Sequence, residues 1–341
     1  MKILVTGGAG YIGSHTIIEI LQNTDWGVLS VDNYSNSTPQ TYDRIKRITG
    51  KNIKNYEVDL SDLKSTEKIF EENKDIKGII HFAAFKAVGE SVEKPLEYYN
   101  NNLNSLSNIL KCQQKYEVPN LIFSSSCSVY GNLNELPVTE NTELPQAESP
   151  YAYTKQIGEV MIADFLKVNK NLKSIALRYF NPVGAHHTGL NGEMSITKPN
   201  NLVPFITQTA IGKQEVLTVF GDDYSTSDGT CIRDYIHVSD IAEAHVIALK
   251  KLLVESDFPN YDVINLGTGK GVTVLEAIKA FEKVSGMRLN YKIGKRREGD
   301  VEAIYADNTK AKTVLGWEAK KSIDEMMLSA WKWEQYLDQN D

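Results

Sequence analysis

The sequence predicts an α/β fold in which a doubly wound parallel sheet is accompanied by a smaller mixed α/β domain. Short apolar runs of the kind that a parallel sheet buries on both faces recur through the first half of the chain, and stretches with helical periodicity separate them. A glycine-rich turn joins the first apolar run, residues 3–5, to the first helical stretch. The length of 341 residues allows two domains or one large one.

The glycine-rich turn is the first candidate binding site. Gly7, Gly10 and Gly13 are spaced three apart, and a helix is expected over residues 14–22. The free amides and the positive dipole end of that helix favour an anion, and the absence of side chains lets a pyrophosphate approach the backbone. The combination of strand, glycine turn and helix predicts a Rossmann-type dinucleotide site.

An acidic residue completes this pattern. The second apolar strand, residues 26–31, ends at Asp32, which lies 19 positions beyond Gly13. A carboxylate at that place can bind the hydroxyls of an adenosine ribose, and it favours NAD over NADP because it repels a ribose phosphate. The polar loop over residues 33–37 follows the carboxyl end of the strand, so it is interpreted as part of an adenosine pocket or as solvated linker.

The next two strands contribute further cofactor candidates. Residues 58–60 are expected to close a short strand, and Asp59 is either a partner of an adenine amino group or a helix-start residue. Residues 78–84 predict a core strand that ends in small residues, where the backbone can pass close to a cofactor. Lys86 follows at once and is interpreted as a phosphate contact.

A long helix is predicted over residues 95–116 from an apolar stripe of helical period. Three consecutive asparagines, Asn100, Asn101 and Asn102, lie near its start. Since each asparagine lowers helix propensity, one of them is expected to have a buried hydrogen-bonding role, and Asn101 is the choice.

The candidate catalytic residues follow the fifth predicted strand. Residues 121–123 form its core, and the serines at 124–126 lie at its end, beside the expected nicotinamide site. Ser149 and the proline after it predict a helix start, and Tyr151 and Lys155 then share one helix face. A tyrosine has a reference pKa of about 10, so two nearby cations, Lys155 and oxidised nicotinamide, are expected to lower it towards neutrality.

Strand and helix alternate regularly up to a sixth strand at residues 172–179, and the alternation then lapses. A further buried strand at residues 263–266 indicates that the chain returns to the first domain there. The predicted organisation is a cofactor domain over residues 1–180 with a return segment at about 235–268, interleaved with a substrate domain over residues 181–341.

The second half of the chain carries the densest basic cluster, residues 295–297. A solvated face is the usual explanation of such a run. Arg233 is also available, and a guanidinium fork matches phosphate oxygens, so a clamp for a diphosphate is the favoured interpretation. Asn181 is either a turn former or a hydrogen-bonding partner of the substrate.

Composition limits the classes of partner. The net charge of -7 argues against nucleic acid or an anionic membrane as partner. No run of about 20 apolar residues occurs, and the chain enters a core strand at once, so neither a membrane span nor a signal peptide is expected and a cytoplasmic location is predicted. Cys112, Cys127 and Cys231 lack disulfide or metal-ligand spacing, and His186 and His187 lack a third ligand, so no metal is predicted.

Six segments carry a more specific signal. They are residues 6–14 (TGGAGYIGS), 86–91 (KAVGES), 124–131 (SSSCSVYG), 149–155 (SPYAYTK), 178–184 (RYFNPVG) and 233–238 (RDYIHV). Together they resemble the extended short-chain dehydrogenase/reductase superfamily and, within it, the family of UDP-glucose (UDP-galactose) 4-epimerases. The likeness covers nearly the whole chain.

The resemblance implies tightly bound NAD as cofactor, and UDP-glucose and UDP-galactose as substrates. It implies that Tyr151 is the base, that Ser126 hydrogen-bonds the sugar O4, and that Lys155 binds the nicotinamide ribose and tunes Tyr151. The residues expected at the cofactor are Gly7, Gly10, Tyr11, Ile12, Gly13, Asp32, Asn33, Asn36, Asp59, Leu60, Phe82, Ala83, Lys86, Asn101, Ser124, Tyr151, Lys155 and Tyr179. Those expected at the UDP-sugar are Lys86, Ser126, Tyr151, Asn181, Asn201, Leu202, Phe220, Arg233, Tyr235, Arg297, Asp300 and Ile304.

The implied mechanism oxidises and then reduces one carbon. Tyr151 takes the C4 hydroxyl proton while the C4 hydride passes to NAD, the 4-keto sugar turns over, and the hydride returns to the opposite face. Only the diphosphate can stay fixed during that rotation, so the binding free energy should lie in the nucleotide and the arginines. The resemblance also implies a homodimer with a four-helix interface formed by the helices that begin near residues 95 and 151.

The resemblance also bears on sugar preference through position 304, whose bulk is implied to govern whether an N-acetylated sugar fits. Ile304 is neither a large tyrosine nor a very small residue. Activity is therefore expected mainly on UDP-glucose and UDP-galactose, with leakage to UDP-N-acetylhexosamines.

Three alternatives are weighed against this interpretation. A sugar-nucleotide 4,6-dehydratase shares the fold and the Tyr–Lys pair, but it needs acidic residues after the strand that ends in serine, and residues 126–128 (SCS) offer none. A UDP-N-acetylglucosamine 4-epimerase would differ in sugar preference. A non-enzymatic NAD-sensing protein would keep the glycines without needing Tyr151 and Lys155.

Overall fold

A seven-stranded parallel sheet forms the centre of the computed structural model, which describes residues 1–133, 135–194, 199, 201–297 and 300–340. Its strands are β1 (Lys2–Thr6), β2 (Gly27–Val31), β3 (Lys54–Tyr56), β4 (Ile76–His81), β5 (Asn120–Ser126), β6 (Lys173–Tyr179) and β11 (Tyr261–Leu266). Their order is β11-β6-β5-β4-β1-β2-β3, with every neighbouring pair parallel. The chain reverses direction across the sheet between β1 and β4, as in the Rossmann fold, so the predicted fold class is confirmed.

Helices cover both faces of this sheet. The α-helices of the described chain, which include three in a separate core (α7, α9 and α10), are in order α1 (Tyr11–Asn23), α2 (Gln40–Thr49), α3 (Leu63–Glu72), α4 (Val88–Glu93), α5 (Pro95–Lys115), α6 (Pro150–Val168), α7 (Leu202–Ala210), α8 (Val238–Val254), α9 (Val274–Ser285) and α10 (Ile323–Asn340). Side chains alternate along each strand, so Ile3 and Val5 join the core beneath α1 and α8, while Leu4 joins the core beneath α3, α5 and α6. Burial on both faces explains the continuous apolar runs in the sequence.

The smaller strands lie outside the central sheet. They are β7 (Asn181–Val183), β8 (Leu217–Phe220), β9 (Ile232–Arg233), β10 (Tyr235–His237), β12 (Val272–Thr273), β13 (Tyr291–Gly294) and β14 (Ala303–Ile304). β10 pairs with β7, β13 pairs with β8, and β9 lies between β12 and β14. A separate apolar core joins α7, α9 and α10 to β8.

Several boundaries differ from the sequence-based expectation. Residues 58–60 are not a strand, because β3 ends at Tyr56 and the side chains of Asp59 and Asp62 accept hydrogen bonds from the amides of Ser61 and Lys64, which forms a turn and caps α3. Helix α1 begins three residues earlier than expected, at Tyr11. Residues 124–126 belong to β5 itself rather than following it.

The strand expected at residues 263–266 is β11, and it adds to the central sheet beside β6. It brings Asn265 opposite Arg178 in the register of the two strands. None of the helices in the described part of the chain has both the length and the apolar character needed to cross a membrane.

Candidate active site

The glycine turn packs tightly against the start of α1. Gly7 has φ of +68°, and a Cβ there would lie 2.9 Å from the backbone nitrogen of Ala83. A Cβ on Gly13 would collide with the carbonyl oxygen of Gly7. Gly10 is the N-cap of α1 and provides no side-chain cap, and the first turn contains no acidic residue. The first amides of the helix therefore face an open turn that suits a phosphate group.

Asp32 lies at the carboxyl end of β2, where it connects the glycine turn to the loop that follows. Its Oδ2 accepts a hydrogen bond from the amide of Ala9 at 2.9 Å, and its Oδ1 accepts bonds from the amide of Tyr34 at 2.9 Å and the hydroxyl of Ser37 at 2.7 Å. Asn33 and Asn36 in this loop are exposed. Asp32 thus stands beside the glycines, as the dinucleotide pattern requires.

Two residues expected at the cofactor, Asp59 and Asn101, have local contacts that differ from those expected. Asp59 is exposed and binds the Ser61 amide, whereas the helix cap is Asp62 and Leu60 is buried. The choice of Asn101 as the buried asparagine is wrong. Asn102 is the buried residue, and it holds both the amide and the carbonyl of Phe85, at 2.8 and 3.0 Å.

The end of β4 carries Phe82, Ala83 and Lys86. The amide of Ala83 donates to the Thr6 hydroxyl of β1, and the ring of Phe82 lies 4.7 Å from the ring of His245 in α8. Lys86 forms an ion pair of 2.8 Å with Glu193. The same Glu193 oxygen accepts a hydrogen bond from Asn201, at 2.9 Å. One carboxylate therefore joins a residue predicted at the cofactor to a residue predicted at the substrate.

The last residue of β5 and the first two turns of α6 carry the three candidate catalytic residues. Ser149 caps α6 by accepting the amide of Ala152, so Tyr151 lies in the first turn and Lys155 one turn later. Tyr151, Lys155 and Ser126 are all at least nine-tenths buried. The ammonium of Lys155 donates to the carbonyl of Ser124 at 2.7 Å, and it lies 5.8 Å from the centre of the Tyr151 ring.

The groups of the chain itself act on the pKa of Tyr151 and of Lys155 in opposite directions. Burial raises the pKa of Tyr151 well above its usual value, the neighbouring Tyr179 raises it further, and a hydrogen bond with Ser126 lowers it. Burial lowers the pKa of Lys155 to about 8, against the opposing effect of the Glu159 carboxylate. The ammonium points to the Ser124 carbonyl, so the side chains of this chain do not by themselves make Tyr151 a base at neutral pH.

Tyr179 is the fourth hydroxyl of the group. It lies at the end of β6, is buried, and hydrogen-bonds the Ser124 hydroxyl. Burial raises its pKa to about 12. The end of β5 is therefore lined by Ser124, Ser126, Tyr151 and Tyr179, with one ammonium beneath them.

Several residues predicted at the substrate lie on or near the smaller strands. Arg233 pairs with the Asp300 carboxylate and donates to the carbonyls of Ile232 and Val301, both at 2.8 Å. Arg297 is exposed and lies 4.7 Å from the centre of the Phe220 ring. Within the described part of the chain, the buried Oδ1 of Asn181 has no hydrogen-bond partner. It is therefore an acceptor available to a ligand.

Four other residues of the predicted site lie nearby in sequence or structure. Asn201 is the N-cap of α7 and makes no side-chain capping bond, and Leu202 is the first residue of that helix. Tyr235 and Ile304 are buried on β10 and β14, and Ile304 packs with Tyr130 and Phe180.

Sequence reasoning missed three residues of this region. Glu193 lies far in sequence from Lys86, and no local pattern links them. Asn102 differs from Asn101 only in which side of α5 it occupies. Glu159 carried a detectable signal, because it continues the four-residue spacing of Tyr151 and Lys155 by one turn. The three cysteines are free, and no group of three or more potential ligands among the described residues could hold a metal ion.

Comparisons with known proteins show the family of the chain. The sequence model of a family described as GDP-mannose 4,6 dehydratase matches residues 4–329. A UDP-glucose 4-epimerase of Bacillus subtilis is 48% identical over 334 residues, which are 98% of this chain and 97% of that protein.

Solved structures extend the likeness to the whole fold. A UDP-glucose 4-epimerase of Bifidobacterium longum, solved with NAD+ and UDP, is 46% identical with a TM-score of 0.94, and all of both chains is covered. One from Stenotrophomonas maltophila, solved with NAD and a formylated UDP-arabinopyranose, is 42% identical with a TM-score of 0.96, again over all of both chains. With the Tyr–Lys pair, the glycine turn and near-full-length identity of almost one half, the chain belongs to the UDP-glucose 4-epimerase family of the extended short-chain dehydrogenase/reductase superfamily.

Proposed function

We propose that this chain interconverts UDP-galactose and UDP-glucose through a 4-keto intermediate, with NAD held in its glycine turn. The observation that carries the proposal is the position of Tyr151, Ser126 and Lys155 at the carboxyl end of β5. That end lies on the same edge of the sheet as the glycine turn after β1. Ligands bind at this edge in open α/β sheets, so a sugar there would meet both a proton acceptor and the cofactor.

The residues around the turn fit NAD. Gly7 and Gly13 let the turn close tightly against Ala83 and the Gly7 carbonyl, and the missing side chains let a pyrophosphate approach the backbone. Asp32 places a carboxylate where an adenosine ribose would lie. We assign Tyr11, Ile12, Asn33, Asn36, Lys86 and Tyr179 to the same site. NAD, when bound, supplies the acceptor for the C4 hydride and returns the hydride, so the net redox change is zero.

Tyr151 moves the proton in this proposal. Its ionised phenolate oxygen takes the proton of the sugar C4 hydroxyl and becomes a neutral hydroxyl, which returns the proton after the 4-keto sugar has turned. Ser126 orients the C4 oxygen of the sugar. Since burial makes Tyr151 a weak acid in this chain, a second positive charge beside Lys155 is needed to stabilise the phenolate.

The nucleotide end would stay fixed while the sugar rotates. We assign Arg233 and Arg297 to the UDP diphosphate, because guanidinium groups match phosphate oxygens. We assign Asn181 and Asn201 to other parts of the UDP-sugar, because the Asn181 Oδ1 is a buried acceptor without a partner in the described chain and suits a hydroxyl donor. Asp300 holds Arg233 in place.

Ile304 is proposed to restrict the sugar. Ile304 lies on β14, is buried against Tyr130 and Phe180, and has a side chain of intermediate bulk. We expect higher turnover with UDP-glucose and UDP-galactose than with the N-acetylated pair, and we expect Ile304→Ala to narrow this difference. Comparable rates on both pairs in the unsubstituted chain would contradict the preference.

A homodimer is proposed from an exposed apolar surface on α4, α5 and α6. Val92, Leu96, Tyr153 and Val160 are between 46% and 78% exposed there. Light scattering after gel filtration should give a dimer that Leu96→Glu or Val160→Glu converts to a monomer. Val254→Glu changes an exposed valine outside this surface and should leave the dimer intact. We also propose the two interleaved domains and a cytoplasmic location.

The experiment that tests the proposal uses the purified chain with UDP-galactose and no added cofactor. We expect UDP-glucose to form, and we expect Tyr151→Phe to lose turnover while it retains NAD. Retained turnover in Tyr151→Phe would contradict the assigned base, and NAD binding without turnover in the unsubstituted chain would support an NAD-sensing protein. A product that has lost water would support the 4,6-dehydratase that the matched family model names.

A further inference from the structure

Three consecutive residues of β5 contact three successive turns of α6. A hydrogen bond with Ser126 acts on Tyr151, the Ser124 carbonyl accepts from Lys155 at 2.7 Å, and the Ser125 hydroxyl donates to Glu159 at 2.5 Å. Tyr151, Lys155 and Glu159 are spaced four apart and therefore share one helix face. The third of these contacts, between Ser125 and Glu159, has no part in the mechanism above.

Glu159 belongs to a buried polar row that crosses the sheet. Ser125, Arg178 and Asn265 lie opposite one another on β5, β6 and β11. Arg178 makes a two-pronged contact with Glu159, at 2.9 and 2.6 Å, and donates to the Tyr130 hydroxyl at 2.9 Å. Tyr130 in turn donates to Asn265 at 2.6 Å.

Burying this polar row costs free energy, because the face of the sheet that carries it is otherwise apolar. The side chains of Arg178 and Glu159 are only 5% and 7% exposed, and they are surrounded by the core beneath α5 and α6. A well-packed apolar pair of the same volume is often as stable as a buried ion pair, so packing alone gives little reason for charges here. Their proximity to the two catalytic turns of α6 gives a reason.

We propose that Glu159, with Arg178 as its charge partner, is a positioning residue of the reaction, which fixes α6 against β5 and maintains the charge of Lys155 beneath Tyr151. The inference rests on the proposed function. It assigns no contact with substrate or cofactor to either residue.

The electrostatic surroundings of Lys155 support this role. Glu159 is the carboxylate that opposes the lowering of its pKa by burial. The neighbouring His81 ring is neutral, because burial holds its pKa at about 3. The groups that contact Lys155 or interact with its charge are Tyr151 and Glu159 on α6, Phe123 and the Ser124 carbonyl on β5, and His81 on β4.

The test compares the pH dependence of three variants. Removing the anion in Glu159→Gln should lower the pKa of Lys155, so the alkaline loss of turnover should move to lower pH by about 1 unit or more. Removing the cation in Arg178→Met should move that loss to higher pH. The neutral double variant Glu159→Gln/Arg178→Met avoids an unpaired buried charge and should show a smaller shift to lower pH.

A second readout does not depend on turnover. The pKa of Lys155 is followed by NMR of the protein labelled with 13C at the lysine ε-carbons, with the signal assigned by its loss in Lys155→Met. The pKa of Lys155 should fall in Glu159→Gln and rise in Arg178→Met. The control is Asp262→Asn/Lys310→Met, which removes a different ion pair, 2.5 Å long, between Asp262 on β11 and Lys310, and should leave both readouts unchanged.

Equal scaling of activity at every pH, or an unchanged Lys155 signal in the variants, would overturn the proposal. So would a double variant that fails to fold, since the network would then be structural. If the unsubstituted chain shows no epimerisation while the lysine signals shift as expected, the proposed function fails and the positioning of Lys155 stands.

Discussion

At the scale of single residues, the site depends on which side chains are buried with a partner. Asn102 saturates its amide with Phe85 and with the Thr154 hydroxyl at 3.1 Å, and it thereby ties the segment after β4 to α6. Asn101 donates to Asn102 and is only partly buried. The position of Phe85, one residue before Lys86, therefore depends on a single amide side chain.

Asn102→Ala should lower the free energy of unfolding by about 2–3 kcal/mol, because it leaves the amide and the carbonyl of Phe85 without the Asn102 side chain and removes one of the two hydrogen bonds of the Thr154 hydroxyl. The matched control is Asn100→Ala, which removes an exposed asparagine whose side chain accepts only from Asn104 among the described residues. Urea unfolding of the two variants measures the difference. Equal losses in both would show that burial of Asn102 has no special effect.

Some residues of the site could be predicted from the sequence, and others could not. Tyr151, Lys155 and Ser126 follow from a four-residue spacing and a strand end, which are local properties. The partner of Lys86 is Glu193, 107 positions away along the chain, and the partner of Arg233 is Asp300, 67 positions away. Only the tertiary structure reveals such pairs. The choice between Asn101 and Asn102 depends on the rotation of α5 about its axis.

At the scale of elements, the start of α1 is a tightly constrained joint between β1 and the helix. Its turn has no side chains at the points where Gly7 meets Ala83 and where Gly13 meets Gly7. The spacing of these glycines was readable from the sequence because the constraint is local. The turn at 58–60 was misread as a strand, since the side-chain bonds of Asp59 and Asp62 outweigh the apolar character of Val58 and Leu60.

Gly13→Ala should abolish retention of NAD, because the added methyl group collides with the Gly7 carbonyl and opens the turn. Absorbance of the purified protein and quantification of released cofactor measure this. Gly89→Ala is the control, since a Cβ there has nothing within 4 Å. A Gly13→Ala protein that keeps its NAD would contradict the assignment of this turn.

At the scale of the whole molecule, buried histidines connect stability to pH. Burial lowers the pKa of His15 and His81 to about 3, and that of His186, His237 and His245 to about 4. A histidine in the unfolded chain titrates near 6.5, so below that pH the unfolded state binds more protons. The stabilisation is complete above about pH 6.5 and is lost as the pH falls towards 4.

The free energy of unfolding should therefore decrease between about pH 6.5 and pH 4.5, by at most about 1.4 kcal/mol per pH unit for each buried histidine. Urea unfolding across that range measures the slope. His245→Met removes one of these groups and should make the slope shallower. An identical slope would mean that carboxylates alone cause the acid sensitivity.

The central claim is that the sugar C4 loses and regains its own hydrogen within one closed site. UDP-galactose carrying deuterium at C4, incubated with the purified protein, tests this most directly when the UDP-glucose formed is analysed by NMR. The account predicts that the deuterium is retained at C4 of the product. Deuterium lost to solvent, or found at another carbon, would contradict it.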